Sequence, residues 1–446
     1  MSRSKKFHFF FVALLALQPL LLSCNPANPE FEMVPEPPSA IEDPELWSTG
    51  WPAIYGPYHN SISSESDLET NWGSKGPRLL WEREIGQGYS SPISVGDLTF
   101  VFHRQGDEEI IECLDAETGE FEWDYRRPTN FKCGWEYSDG PYSTPVVNKR
   151  SLFAVSTQGV LFCLDLETGK CQWVRKLYED YQMEVGRWPV VASPLLLKDR
   201  LIFNLGAGKR NAGIVAIDLE NGETIWEATS HGASHATPTA ASMQGEQLVF
   251  VMTDEGLVCL RPETGEVVWE LEHKTRDPDA MFSNAVSPVV SGEFLTIVSG
   301  PKIKPGFRCL KLLPGGQYEE PWKNIRLLNS QYTNQMIVGG HLFGFSPMRQ
   351  GGPHLHCINL VTGDLCWRGR PRIGRGNGIV IGNSILFLGE TGDLCSIEIR
   401  KDKMVVTSRT ESPILDRPCY TPMALNQGRL FLRNEKKLKC LDLRRR

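Results

Sequence analysis

The chain has 446 residues and a formal net charge of −7; 41% of its residues are hydrophobic and 23% are charged. This is the composition of an ordered globular protein, and the acidic balance argues against nonspecific binding of nucleic acid. The length allows two or three ordinary domains or one large repeat ring. Short β-branched and aromatic runs, separated by Gly, Pro, Asn and Asp, favour an all-β protein.

Residues 1–23 are predicted to be a signal peptide, because basic residues near the start precede an apolar run that is too short and too interrupted to span a membrane. The run ends in Leu21-Leu22-Ser23-Cys24, which resembles a bacterial lipobox. The resemblance implies cleavage before Cys24 and acylation of its thiol. The alternative is an ordinary secretory signal beside a chance cysteine.

The next segment, residues 24–46, is rich in Pro and Glu and is predicted to be a semi-extended tether without a core of its own. Asn25 follows the cysteine directly. By resemblance to Gram-negative lipoproteins, a residue other than Asp at this place favours the outer membrane. We therefore expect a cell-envelope lipoprotein in the outer membrane that faces the periplasm.

A repeat with fixed spacing begins at Cys113, with Gly119 six residues later and Trp123 ten residues later. Such self-similarity is the mark of a repeat architecture. The spacing returns four times, at Cys163, Gly169 and Trp173; at Ala216, Gly222 and Trp226; at Cys259, Gly265 and Trp269; and at Cys357, Gly363 and Trp367. Degenerate copies start at Cys309, at Ser396, where Val406 stands in the Trp place, and at Cys440, where the chain end truncates the copy.

A second element precedes each copy and opens a pair of short apolar strands. It occurs eight times, as Ser91-Pro92, Thr144-Pro145, Ser193-Pro194, Thr237-Pro238, Ser287-Pro288 and Thr421-Pro422, and without the Pro at Gln335-Met336 and Asn377-Gly378. Each unit is thus predicted to contain four antiparallel strands, the third ending in the small-residue triplet and the fourth carrying the Trp. One such sheet cannot bury both faces alone, so neighbouring sheets must stack around an axis.

The two ends of the repeat region are complementary. Residues 79–84 look like a fourth strand without a blade before it, and residues 422–443 look like three strands without a fourth. Together they complete a blade and leave no open edge in the ring. We predict an all-β, eight-bladed β-propeller of four-stranded antiparallel blades over residues 79–446, closed by N- and C-terminal strands; seven blades and a stray segment are the alternative.

The repeat resembles the tryptophan-docking motif of the pyrroloquinoline-quinone (PQQ)-like propeller family. In that family the Trp packs between the small residue of its own blade and the Gly-bearing turn of a neighbour, which implies structural roles for Trp123, Trp173, Trp226, Trp269, Trp367, Gly119, Gly169, Gly222, Gly265 and Gly363. Residues 47–78 look like the lead-in segment of secreted members. The resemblance is specific for fold and not for function.

Two branches share this repeat, and the resemblance implies a different function in each. Quinoprotein dehydrogenases bind PQQ and Ca²⁺ and use a disulfide between adjacent cysteines; this chain has no Cys-Cys pair and no assignable calcium ligands. Lipoproteins similar to the propeller component of the outer-membrane β-barrel assembly machinery are non-enzymatic scaffolds. We expect the second: a monomeric, lipid-anchored scaffold that binds envelope proteins or peptides, with no catalytic residues, cofactor, metal or nucleic-acid partner. A PQQ-dependent dehydrogenase or a small-ligand-binding propeller is the alternative.

The cysteines are expected to be packing residues. Six of the eleven beyond Cys24 occupy the small-residue place of the repeat, which Ala216 and Ser396 fill elsewhere, so the place needs small volume rather than sulfur. A disulfide between Cys357 and Cys366 across one blade is the alternative. His354 and His356 share a strand face from which Cys357 points away, which favours a structural role over a metal site.

The loops that lead into the innermost strands should ring one mouth of the central channel, where propellers usually bind. Aromatic and Arg side chains there could hold an anionic planar ligand or an acidic segment of a partner, although polar residues at a solvated mouth need no ligand. The candidate residues are Trp135, Arg187, Trp188, His235, Arg375, Arg417 and Tyr420, together with Tyr142, His231, Asn284, Gln331, Asn334 and Asn377.

Overall fold

Eight four-stranded antiparallel sheets account for nearly all of the regular structure in this computed structural model. The structure describes residues 47–243, 245–274, 284–299, 306–325, 327–328, 330, 332–346 and 352–445. These residues all belong to the unit Met33–Arg446; the unit Met1–Glu32 lies outside them, as do the predicted signal peptide, tether and lipidation site at Cys24.

The first four blades follow the chain in simple up-and-down order. Blade 1 contains β2 (Ile93–Val95), β3 (Leu98–Gln105), β4 (Glu108–Asp115) and β5 (Phe121–Pro128); blade 2 contains β6 (Val146–Val147), β7 (Ser151–Val155), β8 (Val160–Asp165) and β9 (Cys171–Lys176); blade 3 contains β10 (Leu195–Leu197), β11 (Arg200–Ala207), β12 (Ala212–Asp218) and β13 (Thr224–Ala228); blade 4 contains β14 (Thr239–Met243), β15 (Glu246–Met252), β16 (Gly256–Leu260) and β17 (Val267–Glu272).

The remaining four blades repeat this order until the last, which borrows its outer strand. Blade 5 contains β18 (Val289–Ser291), β19 (Phe294–Val298), β20 (Phe307–Leu312) and β21 (Tyr318–Asn324); blade 6 contains β22 (Met336–Val338), β23 (His341–Phe345), β24 (Leu355–Asn359) and β25 (Leu365–Gly369); blade 7 contains β26 (Gly376–Ile381), β27 (Ser384–Gly389), β28 (Leu394–Glu398) and β29 (Val405–Arg409); blade 8 contains β30 (Ala424–Asn426), β31 (Arg429–Arg433), β32 (Lys437–Asp442) and β1 (Arg78–Glu84).

Helical structure in the described residues is limited to short turns. There is one α-helical turn, α1 (Leu177–Asp180), and there are two 3-10 turns, Gly208–Arg210 and Pro314–Gly316. No helix among the described residues has the length and apolar character needed to cross a membrane.

Burial falls from the inside of each blade to the outside. The inner strand β2 and the second and third strands of blade 2 are almost entirely buried, whereas the outer strand β9 alternates between half-buried and exposed positions. The alternation is expected for a strand with one face on a neighbouring blade and one in solvent. Stacked blades therefore form the core, as the repeat predicted.

The ring closes through strands from opposite ends of the chain. β1 pairs antiparallel with β32, and the Arg78 guanidinium donates to the Asp442 carboxylate at 2.7 Å although 364 residues separate them. This confirms the predicted all-β propeller with eight blades and an N- and C-terminal closing blade. The seven-bladed alternative is wrong.

The repeat Trp packs on the turn between the third and fourth strands of the next blade, which carries a Gly in blades 1 to 6 and none in blade 7. The Trp173 indole Nε1 donates to the carbonyl of Leu219 at 2.9 Å, and a Cβ on Gly222, whose φ is +74°, would lie 2.8 Å from the same indole. Only Gly tolerates both the left-handed conformation and the close approach. Indole-on-glycine contacts also join Trp81 to Gly119, Trp123 to Gly169, Trp226 to Gly265 and Trp322 to Gly363, and the indoles of Trp269 and Trp367 donate to the carbonyls of Gly316 and Arg400.

The small-residue place lies opposite the Trp of the same blade. Cys113 pairs with Trp123 and is fully buried, which leaves no room for a larger side chain. The other pairs are Cys163 with Trp173, Ala216 with Trp226, Cys259 with Trp269, Cys309 with Trp322, Cys357 with Trp367 and Cys440 with Trp81.

Blade 7 differs from the spacing expected from the sequence. Val406 was placed opposite Ser396 by the repeat, but Ser396 pairs with Ser408. The reason is a longer connection between the third and fourth strands of this blade, which moves the register by two residues. Two serines thus occupy the places that a small residue and a Trp fill elsewhere.

The Ser/Thr-Pro residues link neighbouring blades around the axis. In each link the backbone N–H of one residue donates to the side-chain hydroxyl of its counterpart in the next blade, at 2.9 to 3.2 Å. The links run from Ser91 to Thr144, from Thr144 to Ser193, from Ser193 to Thr237 and from Thr237 to Ser287. Each hydroxyl satisfies a buried N–H of the preceding blade, which explains why a Ser or Thr recurs at this place.

Candidate functional site

The two ends of the channel are built from different connections. In an up-and-down sheet, the loop into the first strand and the connection between the second and third strands share one end, which we call the mouth. The hairpins between first and second strands and the Gly turns share the other, which we call the floor. Sites in propellers are formed by loops at one such end.

The lead-in segment covers the floor. Trp51 exchanges backbone hydrogen bonds with Ser94 of β2 at 2.7 and 3.0 Å, and the carbonyl of Pro52 accepts from the N–H of Val147 in β6. Further along, the Ser61 carbonyl accepts from the N–H of Val380 in β26 at 2.8 Å. One short segment therefore binds the inner strands of blades 1, 2 and 7.

This plug (residues 51–63) is coiled and mostly buried. Trp51 and Ser61 are each 1% exposed, and the side chain of Asn334, two residues before β22, donates to the Ser61 hydroxyl. Tyr55 and His59 as well as Ser61 have positive φ values, which are uncommon for residues with a side chain. Such backbone outliers persist only where surrounding contacts fix them, and the inner strands supply those contacts.

The mouth is lined by a chain of aromatic rings that runs across five entry loops. Trp188 contacts Tyr142, Tyr142 contacts Tyr89, Tyr89 contacts Tyr420, and Tyr420 contacts Tyr332, with ring centroids 4.9 to 6.2 Å apart. Most of these contacts are edge-to-face, which is a favourable arrangement of aromatic pairs. We call this set the aromatic belt.

At one end the belt continues into blades 2, 3 and 4. Trp188 also packs against Trp135 at 6.4 Å, Tyr137 at 5.5 Å and His235 at 5.1 Å, and the Arg187 guanidinium lies 5.1 Å above the Trp135 ring. Burial lowers the pKa of His235 to about 4, so its ring is neutral at physiological pH. This end combines an exposed cation with four aromatic rings.

At the other end of the aromatic belt, an arginine and a glutamate neutralise each other. Arg375 lies 4.6 Å above the Tyr332 ring and donates to the Glu390 carboxylate at 2.8 Å, which also accepts from the Tyr332 hydroxyl at 2.6 Å. Burial raises the pKa of Glu390, but the bonds from Arg375 and Tyr332 outweigh it and leave that pKa below its usual value. The Arg375 charge is therefore neutralised within the protein, and the expectation that it meets an anionic ligand loses support.

The remaining predicted mouth residues are dispersed. Asn334 and Asn377 bridge buried backbone groups of blades 6 and 7, and Asn284 donates to two carbonyls in blade 4. His231 contacts the Thr253 hydroxyl at 3.0 Å. Arg417 is exposed, and Gln331 lies outside the described residues.

A cavity of about 330 Å³ opens beside Trp188, between blades 2 and 3. The loops that lead into blades 2, 3 and 4 line it, and the first two are joined by a hydrogen bond from the Gly134 N–H to the Arg187 carbonyl at 2.9 Å. Apolar side chains form much of its wall, and Trp135, Trp188 and His235 line its side toward the mouth. The structure thus brings four of the predicted residues, Trp135, Arg187, Trp188 and His235, around one cavity.

A buried cation joins the closing blade to blade 1. Arg433 is fully buried, and its guanidinium donates to the carbonyls of Asn434, Ser90, Phe102 and Gly86. Burial lowers its pKa to about 9, so it remains charged at neutral pH. Carbonyl dipoles take the place of water around the charge.

Sequence reasoning missed Tyr89, Tyr137, Tyr332, Glu390 and the plug. A signal for Tyr89 was present, because it stands two residues before Ser91, as Tyr142 does before Thr144 and His235 before Thr237. The plug gave none, since a single coiled loop has no periodicity. Among the residues that the structure describes, no three His, Cys, Asp or Glu side chains are placed to share a metal ion.

These features define the class: an eight-bladed propeller of the PQQ-like repeat, with its floor covered by its own lead-in segment and an aromatic belt at its mouth. Residues 134–368, more than half of the chain, match the family model described as outer membrane protein assembly factor BamB, and the chain belongs to that family. A relative, outer membrane protein assembly factor BamB of Burkholderia pseudomallei (strain K96243), is 22% identical over 268 residues, 51% of this chain and 67% of the relative.

Solved structures show the same fold at low identity. BamB from Moraxella catarrhalis has a TM-score of 0.59 and 15% identity, covering 82% of this chain and 100% of that one. Quinohemoprotein alcohol dehydrogenase from Comamonas testosteroni has a TM-score of 0.63 and 13% identity, covering 90% and 82%. Because both kinds of protein share the propeller, this likeness establishes architecture alone.

Proposed function

We propose that the chain is a non-catalytic scaffold of the bacterial cell envelope that binds protein partners through its mouth during outer-membrane protein assembly. Membership of the BamB family supports this role. The observation that carries it is the aromatic belt with Arg187 beside it, because Trp, Tyr and Arg are the residues that dominate the energetics of protein interfaces.

The anchor is part of the same proposal. A lipid on Cys24 would hold the protein to the outer membrane on its periplasmic side, with the Pro-rich residues 25–46 as a spacer. We expect the wild-type protein to partition with membranes and Cys24→Ala to be released from them. A Cys24→Ala protein that stays in the membrane fraction would contradict the lipid anchor, but it would not bear on partner binding at the mouth.

The alternative, a PQQ-dependent dehydrogenase, finds weak support at the mouth. Glu390 is already bonded to Arg375 and Tyr332, so it is a poor ligand for Ca²⁺. Tyr89 and Tyr420 meet edge to face there, so these two rings do not form parallel walls for a flat quinone. These described residues at the mouth therefore favour the scaffold over the dehydrogenase.

The test uses the full-length anchored protein. Cross-linking in intact cells, followed by quantitative mass spectrometry, should enrich outer-membrane assembly proteins with the wild type and with the floor variant Val361→Ala, and fail with Trp188→Ala. The proposal is wrong if no envelope protein is enriched and the purified protein, given PQQ and Ca²⁺, catalyses dye-linked alcohol oxidation.

A further inference from the structure

We propose that the cavity beside Trp188 binds an extended peptide segment, taking one aromatic or large aliphatic side chain into the cavity and placing an acidic residue beside Arg187. The inference rests on the scaffold function proposed above and names the chemistry of the segment that the mouth recognises.

The size and wall of the cavity suit one side chain. Its volume of about 330 Å³ is at the small end of ligand pockets, which favours a single anchoring group over a large cofactor. Leu177, Phe203 and Leu205 are buried in its wall, and Val190 packs against the same apolar cluster. An inserted apolar side chain would be stabilised there because its surface leaves water.

Trp188 forms a stiff side of the entrance. Its ring is held by Trp135, Tyr137, Tyr142 and His235, so little freedom remains to be lost when a ligand packs on it. Rigid aromatic side chains give large contact area at low conformational cost. The site is therefore preorganised rather than formed on binding.

Two exposed apolar side chains lie beside the residues that line the cavity. Tyr137 is 40% exposed and contacts Trp188 at 5.5 Å, and Val185 is 46% exposed and stands in sequence between the lining residues Glu184 and Gly186. The other large hydrophobic side chains exposed in the described part of the chain lie on or beside outer strands and in a floor turn. Exposed apolar side chains grouped beside a pocket favour a surface that a partner covers.

Polar groups at the entrance match a peptide backbone and an acid. The neutral His235 ring offers one donor and one acceptor, and it makes no hydrogen bond to another side chain or carbonyl in the described residues. Arg187 is exposed, is held over the Trp135 ring, and forms no ion pair with any described carboxylate. A carboxylate of the segment would supply the missing partner.

The experiment is a selection of random dodecapeptides on the purified full-length protein, followed by fluorescence anisotropy with the selected peptides. We expect enrichment of an aromatic or large aliphatic residue with Asp or Glu nearby. Val185→Glu and Trp188→Ala should each weaken binding at least tenfold, and Arg187→Gln should weaken only peptides that carry the acid. Val361→Ala, at the floor, should bind as the wild type does.

Two results would overturn the inference: no peptide is selected, or selected peptides bind Val185→Glu and Trp188→Ala as they bind the wild type. Val185 is exposed, so its variant keeps the test valid if Trp188→Ala fails to fold. Cross-linking separates the two proposals. If envelope proteins are still cross-linked to Val185→Glu, the scaffold function holds and the cavity is not its binding site. If peptides bind the cavity but no envelope protein is cross-linked, the cavity site holds and the scaffold function fails.

Discussion

Trp81 lies opposite Cys440 in the closing blade, and its indole Nε1 donates to the carbonyl of Ala116 in blade 1 at 3.2 Å. One side chain from the N-terminal strand thus contacts both the last strand of the propeller and the first complete blade. The docking tryptophan of blade 8 is supplied from the opposite end of the repeat region.

Removal of that indole should open the ring closure. We expect Trp81→Ala to lower the free energy of unfolding by about 3–5 kcal/mol, because a large side chain leaves a cavity at the junction. Urea denaturation followed by circular dichroism measures it, with Val361→Ala, which is 59% exposed, as the control. A loss below about 1 kcal/mol would show that Trp81 does not lock the ring.

The glycine turns separate conformational strain from steric exclusion. The Gly222→Ala variant adds conformational strain, since φ is +74°, and a steric clash, since the new Cβ meets the Trp173 ring. The Gly106→Ala variant adds strain alone, since φ is +58° and no atom lies within 4 Å of the new Cβ. We expect Gly106→Ala to cost about 1–2 kcal/mol and Gly222→Ala clearly more. Equal losses in thermal denaturation would contradict the docking contact.

Buried histidines should make the protein sensitive to mild acid. Burial, aided by the Arg308 charge, lowers the pKa of His273 to about 3, and burial lowers the pKa values of His59 and His235 to about 4. Below about pH 6.5 these histidines take up protons in the unfolded chain that they do not take up in the folded protein. The free energy of unfolding therefore decreases as the pH is lowered. At pH 5, His273 alone accounts for about 2 kcal/mol.

The check is the melting temperature from pH 7.5 to pH 5 for the wild type and for His273→Leu. The variant should lose less on acidification, because a Leu side chain takes up no proton. Carboxylates whose pKa values are lowered, such as Asp165 and Asp442, act only below this window. Identical pH profiles for the two proteins would refute the assignment.

Thiol reactivity should follow burial. Cys366 is exposed, Cys133 and Cys171 are half-buried, and the other eight described cysteines are buried, where burial raises thiol pKa values. We expect a disulfide-exchange reagent to label Cys366 quickly in the native protein, to label the buried eight only after denaturation, and to show no fast phase with Cys366→Ser. Both Cys357 and Cys366 are free in the structure. If the unreduced wild type also lacks that phase and regains it on reduction, the Cys366 thiol is oxidised, which would favour the Cys357–Cys366 disulfide.

The repeat predicted the blades well because its residues have a local and periodic cause. Cys113, Gly119 and Trp123 mark a strand, a turn and a strand, and each copy repeats the same packing problem. The register of Ser396 was wrong because a longer turn has no marker once the Gly and Trp are lost. A local sequence pattern predicts the order of the strands. It predicts which residues pair across the strands only where the Gly and Trp of the motif are present.

The mouth was harder to predict because its contacts join loops that are remote in sequence. Trp135, Trp188 and His235 were named as candidates, but their convergence on one cavity depends on the stacking of blades 2, 3 and 4. Arg375 was expected to meet a ligand because the sequence does not show that Glu390, on a different connection of blade 7, reaches the same guanidinium. Ring geometry decides which polar groups remain available.

The plug also has a mechanical consequence. Tension applied at Trp47 would reach the backbone hydrogen bonds between Trp51 and Ser94 and those at Val380 before it reached β1. β1 completes the closing blade, and pulling it away from β32 would break the ring. A pull from the N-terminal side would therefore load the contacts of the lead-in segment before it reached the strand pair that closes the ring.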